Sequence, residues 1–213
     1  MKKTIENAKA LIEKYDFLNL SKSKKSTIFL FICLIAGMIF GTVSVSSISM
    51  EFIYKLDFIF LSDFKGRLSQ SNVEIFISSL CILSIFALLL ELCSLSCWGM
   101  IFIPFIMGFK GFGLGITAGY LYLIHGLKGI AFYLLILLPG IFISSIGLTI
   151  FSSQCIKFSI SILKNVLSKE ESKNLRNEIK NHLKKSGYCI TILLMSSIID
   201  VCFMIMFSRF FNF

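Results

Sequence analysis

The stretch of sequence that decides the fold is residues 98–119, WGMIFIPFIMGFKGFGLGITAG. It is apolar along its length, apart from one lysine, and is interrupted by Pro104 and by closely spaced glycines. As a helix rising about 1.5 Å per residue, it is long enough to cross the roughly 30 Å hydrocarbon core of a bilayer. Gly111 and Gly115 make a small-x-x-x-small pair, which favours close helix packing in membranes. We therefore predict that this helix, with Gly108 on it, packs closely against a neighbour.

The composition of the whole chain also indicates a membrane protein. Of the 213 residues, 56% are hydrophobic, 23 are phenylalanine and only 15% are charged. A soluble domain carries about a quarter of charged residues, so a water-soluble globule is excluded. The net charge of +9 is not accompanied by a basic run interleaved with aromatic residues on a soluble domain. Nucleic acid is therefore not an expected partner.

The apolar runs divide the chain into a short leading segment and one membrane domain. We predict an all-α polytopic membrane protein in which residues 1–25 form a basic amphipathic cytoplasmic segment and residues 26–213 form a five-helix transmembrane bundle. The predicted spans are 27–45, 73–95, 98–124, 129–151 and 188–207. An outer loop at 46–72 and a cytoplasmic helical segment at 152–187 complete the predicted domain.

Local signals mark the ends of some of these elements. Residues 94–97 are all that separates the second span from the third, which predicts a tight helical hairpin. Ser168 and Glu171 fit a capping box that starts a cytoplasmic amphipathic helix. Gly187 is suited to end that helix before the last span.

The distribution of positive charge predicts the orientation. Segments 1–25 and 152–187 hold 7 and 8 of the 21 Lys and Arg residues. Because short cytoplasmic segments are enriched in positive residues, we expect a cytoplasmic N-terminus and an external C-terminus. The charge surplus is then explained by orientation in a bacterial cell membrane, with membrane lipids as partners.

Three charged residues fall inside the predicted spans: Glu91, Lys110 and Asp200. A charge at the centre of a membrane helix costs about 2.5–3.5 kcal/mol on insertion scales, so each requires an explanation. Pairing of Lys110 with Glu91 or with Asp200, as a buried ion pair that fixes helix register, is the simplest. A proton or ion relay, or a docking site for the helix of another protein, are the functional alternatives.

The fourth predicted span has a broken, small-residue face like that of the third, because it contains Pro139 and Gly140. Close packing explains both interruptions. Two interrupted helices at similar depth are also typical of the discontinuous helices of transporters.

The sequence predicts neither an enzyme nor a metal or cofactor site. His125 lies in a predicted turn and His182 in the predicted cytoplasmic helix, so no histidine pair for a zinc enzyme is expected. Cys93 and Cys97 have a spacing that suits a metal, but without a neighbouring histidine or second cysteine pair we interpret them as packing residues. No Gly-x-Ser-x-Gly motif is present.

The most specific run is PFIMGFKGFGLGITAGYLYLIHGLKGIAFYLLILLPGIFISSIGL, residues 104–148. With the preceding hairpin, five spans and the basic N-terminus, it resembles the stage II sporulation protein M family. The pattern comprises a proline, a Gly-Phe-Lys-Gly segment, a glycine-bearing turn and an LLPG segment. The residues that carry it are Pro104, Gly108, Phe109, Lys110, Gly111, Gly126, Pro139 and Gly140.

The resemblance implies a non-catalytic membrane anchor of the sporulation engulfment machinery, assembled with the peptidoglycan-degrading stage II sporulation proteins D and P. A homo-oligomer stays open. The alternative from the residues themselves is a small transporter or ion-coupled permease subunit that uses Lys110, Asp200 and Glu91. A third hypothesis, lipid handling, requires a lateral groove.

Overall fold

The computed structural model describes residues 23–47, 71–96, 98–168 and 173–207. In these ranges the structure is helical and contains no strand. Its α-helices are α1 (Ser23–Ser44), α2 (Asn72–Ser94), α3 (Gly99–Phe132), α4 (Leu138–Ser168) and α5 (Lys173–Phe207). A short 3-10 helix, Val45–Ser47, follows α1, and a π-helix, Tyr133–Leu137, joins α3 to α4. The all-α prediction is confirmed.

Several helical segments are long and apolar enough to cross a membrane: Lys25–Ser44, Asn72–Ser94, Gly99–Leu163 and Ile179–Phe207. Large apolar side chains cover their outer surfaces; Phe105 and Leu127, for example, are 72% and 81% exposed. Such a surface is stable in lipid and unstable in water. The length and the apolar composition of these helices therefore support the prediction of a membrane protein.

The third of these segments is not one straight helix, because the chain turns back at Gly126. Gly126 has φ 58° and ψ −137°, which lies outside the helical region and favours glycine. Beyond it, the hydroxyl of Tyr133 donates to the carbonyl of Leu114 at 3.5 Å. In a straight helix these residues would be roughly 28 Å apart. α3 thus consists of two helices that pack against each other.

α1 and α3 pack backbone against backbone through glycines on both helices. On α3, a Cβ atom at Gly111 would overlap the carbonyl oxygen of Leu34, and one at Gly115 would overlap that of Met38. On α1, Cβ atoms at Gly37 and Gly41 would overlap backbone carbonyls of α3. The close packing predicted for Gly111 and Gly115 is therefore present, and its partner is α1.

The turn between α2 and α3 is equally tight. A Cβ atom at Gly99 would overlap the carbonyl oxygen of Cys93. The hydroxyl of Ser159 on α4 donates to the carbonyl of Ser96 in this turn, at 2.6 Å. The predicted hairpin is thus formed, and a side chain of α4 ties it to the bundle.

α2 begins with a capping box. The hydroxyl of Ser71 accepts from the backbone N–H of Glu74 at 3.4 Å, and the Glu74 carboxylate accepts from the N–H of Ser71 at 2.8 Å. Two backbone donors that the first turn leaves without intrahelical partners are thereby satisfied.

The helices enclose one main apolar core in the middle of the bundle. It contains residues from every helix, including Leu30, Leu90, Ile103, Leu148 and Leu193, each at most 2% exposed. Burial of this kind keeps the helices at fixed heights relative to one another, which determines where their polar residues meet.

One expected boundary is wrong. Gly187 does not end a helix, because α5 runs without a break from Lys173 to Phe207. A glycine inside a helix costs about 1 kcal/mol relative to alanine, which a long packed helix tolerates. The consequence is that His182 and Asp200 lie on the same rigid helix.

Other predictions concern segments outside the described residues. These are most of the leading segment 1–25, most of the loop 46–72, and the capping partner Glu171.

Candidate functional site

Lys110 is a buried cation inside the bundle. It lies on α3 with 5% of its surface exposed. Its ammonium nitrogen is 5.9 Å from the centroid of the Phe86 ring, within cation–π range. Among the described residues this nitrogen has no hydrogen-bond partner. The expected direct pair between Lys110 and Glu91 is therefore not formed.

Asp200 shares the surroundings of Lys110, and the charges of the two groups interact. The Asp200 carboxyl group occupies the notch that Gly140 leaves in α4: a Cβ atom at Gly140 would overlap it. Beside it, the hydroxyl of Ser196 donates to the Gly140 carbonyl at 2.8 Å. Gly140 and Asp200, predicted separately as a packing residue and a buried charge, thus form one contact between α4 and α5.

Pro139 directly precedes this contact. It follows the π-helix, in which the N–H of Leu138 bonds to the carbonyl of Tyr133. Proline supplies no N–H to the turn that it enters. The predicted interruption of this helix is therefore present as a widened turn next to Asp200.

Glu91 contacts His182, which the sequence predicted to lie in a separate cytoplasmic helix. Nε2 of His182 lies 3.2 Å from Oε2 of Glu91 and 3.3 Å from Oγ of Ser94. The Ser94 hydroxyl donates its own hydrogen to the Glu91 carbonyl at 2.7 Å. The tautomer of His182 with hydrogen on Nε2 would donate to the Glu91 carboxylate.

The third member of this group is Cys155 on α4, which is fully buried. One donor atom each from Glu91, Cys155 and His182 lies within 4.8 Å of the other two. The imidazole of His182 is stacked on the Phe158 ring, with centroids 4.3 Å apart and planes at 5°. This stacking restricts the orientation of the imidazole ring. A carboxylate, a thiol and an imidazole from three different helices thus lie close together. We call this set the Glu-Cys-His cluster.

The Glu-Cys-His cluster adjoins a small polar cavity between α4 and α5. Its volume is about 220 Å³, and His182 forms part of its wall. Lys157 and Lys185 also line it, and their charges interact. Of the three cluster residues, only His182 lines this cavity.

A second, apolar cavity lies on the outer surface between α1 and α3. We call it the lateral groove; its volume is about 640 Å³. Pro104 and Gly108 both line it, together with aromatic side chains. A Cβ atom at Gly108 would meet only the Cys33 carbonyl oxygen, at an ordinary 3.7 Å, so packing within the described bundle does not require glycine there.

Most of the predicted residues lie in one of three places. These are the interior around Lys110 and Asp200, the positions where glycines allow two helices to touch, and the lateral groove. Glu91 lies in a fourth place, the Glu-Cys-His cluster, which was not predicted from the sequence. Comparison of this chain with protein-family models, curated proteins and solved structures finds no match.

Proposed function

We propose that this protein is a non-enzymatic scaffold of the bacterial cell membrane, as its resemblance to the stage II sporulation protein M family implies. The observation that supports this is where the motif glycines lie. Gly111 faces the backbone of α1, Gly126 forms the turn with positive φ, and Gly140 admits Asp200. Three of the four motif glycines therefore have an architectural role, and the fourth, Gly108, lines the lateral groove.

The proposed topology has five spans, with the N-terminus in the cytoplasm. In this topology the 65-residue segment Gly99–Leu163 crosses the membrane twice, with the reversal at Gly126 between the crossings. Its length supports this, since a straight helix of 65 residues would measure roughly 98 Å. The positive charges in 1–25 and 152–187 then lie on one side. This orientation places the Glu-Cys-His cluster near the cytoplasmic surface.

The lateral groove is the proposed docking surface, and its proposed occupant is the single transmembrane helix of a peptidoglycan-degrading partner. It is lined by the small residues Ala36, Gly37 and Gly108 together with several phenylalanines. In membranes, small residues allow a second helix to approach closely, whereas a flexible lipid tail has no need of them. The stage II sporulation proteins D and P are the partners that the resemblance implies.

Photocrosslinking in sporulating cells tests this proposal. We expect Phe105→p-benzoylphenylalanine, in the groove, to give an adduct with a membrane-anchored wall hydrolase identified by mass spectrometry. Leu88 on α2, which is 62% exposed, carries the same probe as the control and should give no such adduct. Adducts with phospholipid alone at both positions would contradict the scaffold and favour a lipid-facing groove.

Gly108→Leu provides a matched variant for the same experiment. The Cβ of the leucine would clear α1, and the rest of the side chain would take up space in the groove. The adduct from position 105 should therefore fall at least about tenfold, as for a loss of roughly 1.4 kcal/mol in binding. The membrane level of the protein should stay unchanged. An undiminished adduct would show that the helix docks elsewhere.

The second candidate function is a transporter or ion-coupled permease subunit, favoured by one observation, the buried Lys110 without a hydrogen bond. Lys110→Met separates the two functions. In a scaffold, replacing a desolvated charge by an apolar side chain of similar length should keep the adduct and leave stability equal or higher, by up to about 3 kcal/mol. In a transporter it would abolish function at normal protein levels.

Asp200→Asn combined with Lys110→Met serves as the control for that variant. Lys110→Met removes a positive charge that interacts with Asp200, and the asparagine removes the negative charge as well. If the double variant is stable in detergent but cells lose engulfment with normal adduct formation, Lys110 and Asp200 have a function beyond packing and the pure scaffold is wrong.

A further inference from the structure

We propose that the Glu-Cys-His cluster binds a single Zn²⁺ ion, with the carboxylate of Glu91, the thiolate of Cys155 and the imidazole of His182 as ligands. These are donor types that zinc takes in proteins, and each comes from a different helix. The site is independent of the lateral groove and of any partner.

The distances fit tetrahedral coordination. With Zn–N and Zn–O bonds of about 2.0–2.1 Å at the tetrahedral angle, ligand nitrogen and oxygen atoms lie roughly 3.3 Å apart. Nε2 of His182 and Oε2 of Glu91 are separated by 3.2 Å. A zinc-bound sulfur would lie roughly 3.6 Å from that nitrogen, so Cys155, already within 4.8 Å, needs to move by about 1 Å.

The fourth position faces Ser94. Its hydroxyl oxygen lies 3.3 Å from Nε2, which is also about one edge of the tetrahedron. Either this oxygen or a water entering from the polar cavity would complete the coordination. Binding releases the thiol proton of Cys155 to solvent, because the thiolate is the ligand. Nε2 of His182 must be free of hydrogen to bind the metal, so the neutral ring carries its single N–H at Nδ1 in the occupied site.

The charges balance when the divalent ion is bound. Glu91 and the Cys155 thiolate contribute two negative charges and neutral His182 contributes none, so the occupied site is electrically neutral. Neutrality matters because Cys155 and His182 are nearly inaccessible to water, at 0% and 5% exposure. The stacking of His182 on Phe158 already holds the imidazole in place, which reduces the entropy lost on binding.

The rival interpretation is a simple ion pair between Glu91 and protonated His182, with Cys155 as a packing residue. It needs no metal and predicts no role for the thiol. The amount of metal bound, and its dependence on Cys155, therefore decide between the two.

The test uses the full chain, purified in detergent under reducing conditions, stripped with chelator, reloaded with Zn²⁺ and separated from free metal by gel filtration. We expect one zinc per chain by elemental analysis. Cys155→Ala and His182→Gln should each weaken retention by more than the roughly 10–100-fold that changes around metal ligands cost. Cobalt in place of zinc should show thiolate-to-metal charge-transfer absorption that Cys155→Ala abolishes.

Cys81→Ala and His125→Gln are matched controls, since they change the same residue types outside the cluster and should retain one zinc. Gel filtration identifies any variant that does not fold. Glu91→Gln, which changes the third proposed ligand, then replaces that variant in the test. A folded wild-type chain that retains well under one zinc would overturn the proposal. Equal retention by wild type and the Cys155→Ala/His182→Gln double variant would also overturn it.

Discussion

Gly111→Ala is expected to destabilise the protein strongly although it adds only one methyl group. The added carbon would overlap the carbonyl oxygen of Leu34, which belongs to the backbone of α1 and cannot rotate away. The two helices must therefore separate along their contact. Overpacking of this kind costs about 3 kcal/mol, which lowers the midpoint of thermal unfolding by roughly 6–12 °C for a chain of this size.

Gly108→Ala is the matched control, one turn earlier on the same helix. There the added carbon lies 3.7 Å from the nearest atom outside its own helix, which is ordinary contact. Because alanine is the better helix former, this variant should match wild type or exceed it by up to about 1 kcal/mol. Thermal unfolding in detergent, followed by gel filtration, measures both. Equal midpoints for the two variants would show that the α1–α3 contact is looser than described.

Gly140→Ala is expected to have the second largest effect, and a second substitution should reverse it. The added methyl group would occupy the position of the Asp200 carboxyl group. This group is held between α4 and α5 beside the bond from Ser196 to the Gly140 carbonyl. We expect a loss of about 2 kcal/mol, or roughly 4–8 °C in the unfolding midpoint.

Asp200→Ala should relieve that loss, because it removes the group with which the methyl collides. The double variant should therefore be more stable than Gly140→Ala alone, with a coupling energy of about 1 kcal/mol or more in a double-mutant cycle. Gly187→Ala on α5 is the control, because no atom of the described residues outside its own helix lies within 4 Å of the added carbon. It should match wild type or exceed it by up to about 1 kcal/mol. Strict additivity of the two substitutions would rule out the notch.

The helical fold could be predicted from the sequence because its signals are local. Long apolar runs place the helices, and the spacing of Gly111 and Gly115 identifies a packing surface. Which helix packs against this surface could not be predicted in this way. Gly37 and Gly41 lie in an ordinary apolar run, and their role depends on which helix α1 meets.

The Glu-Cys-His cluster was missed for a related reason. Its members are separated by up to 91 residues in sequence. The expected helix end at Gly187 placed His182 in a separate cytoplasmic segment, away from Glu91. Glycine lowers helix stability without forcing a stop, so packing on both sides of Gly187 decided the outcome.

The unbroken course of α5 has a mechanical consequence. Its 35 residues measure roughly 52 Å, well beyond the roughly 30 Å of a bilayer core, and about 27 Å of that length separates His182 from Asp200. A continuous helix of this length moves as one rigid element. A rotation of α5 at His182 would therefore also move Asp200, whose carboxyl group lies in the notch at Gly140. Tension on either end of α5 is thus carried across the bundle without a loop to absorb it.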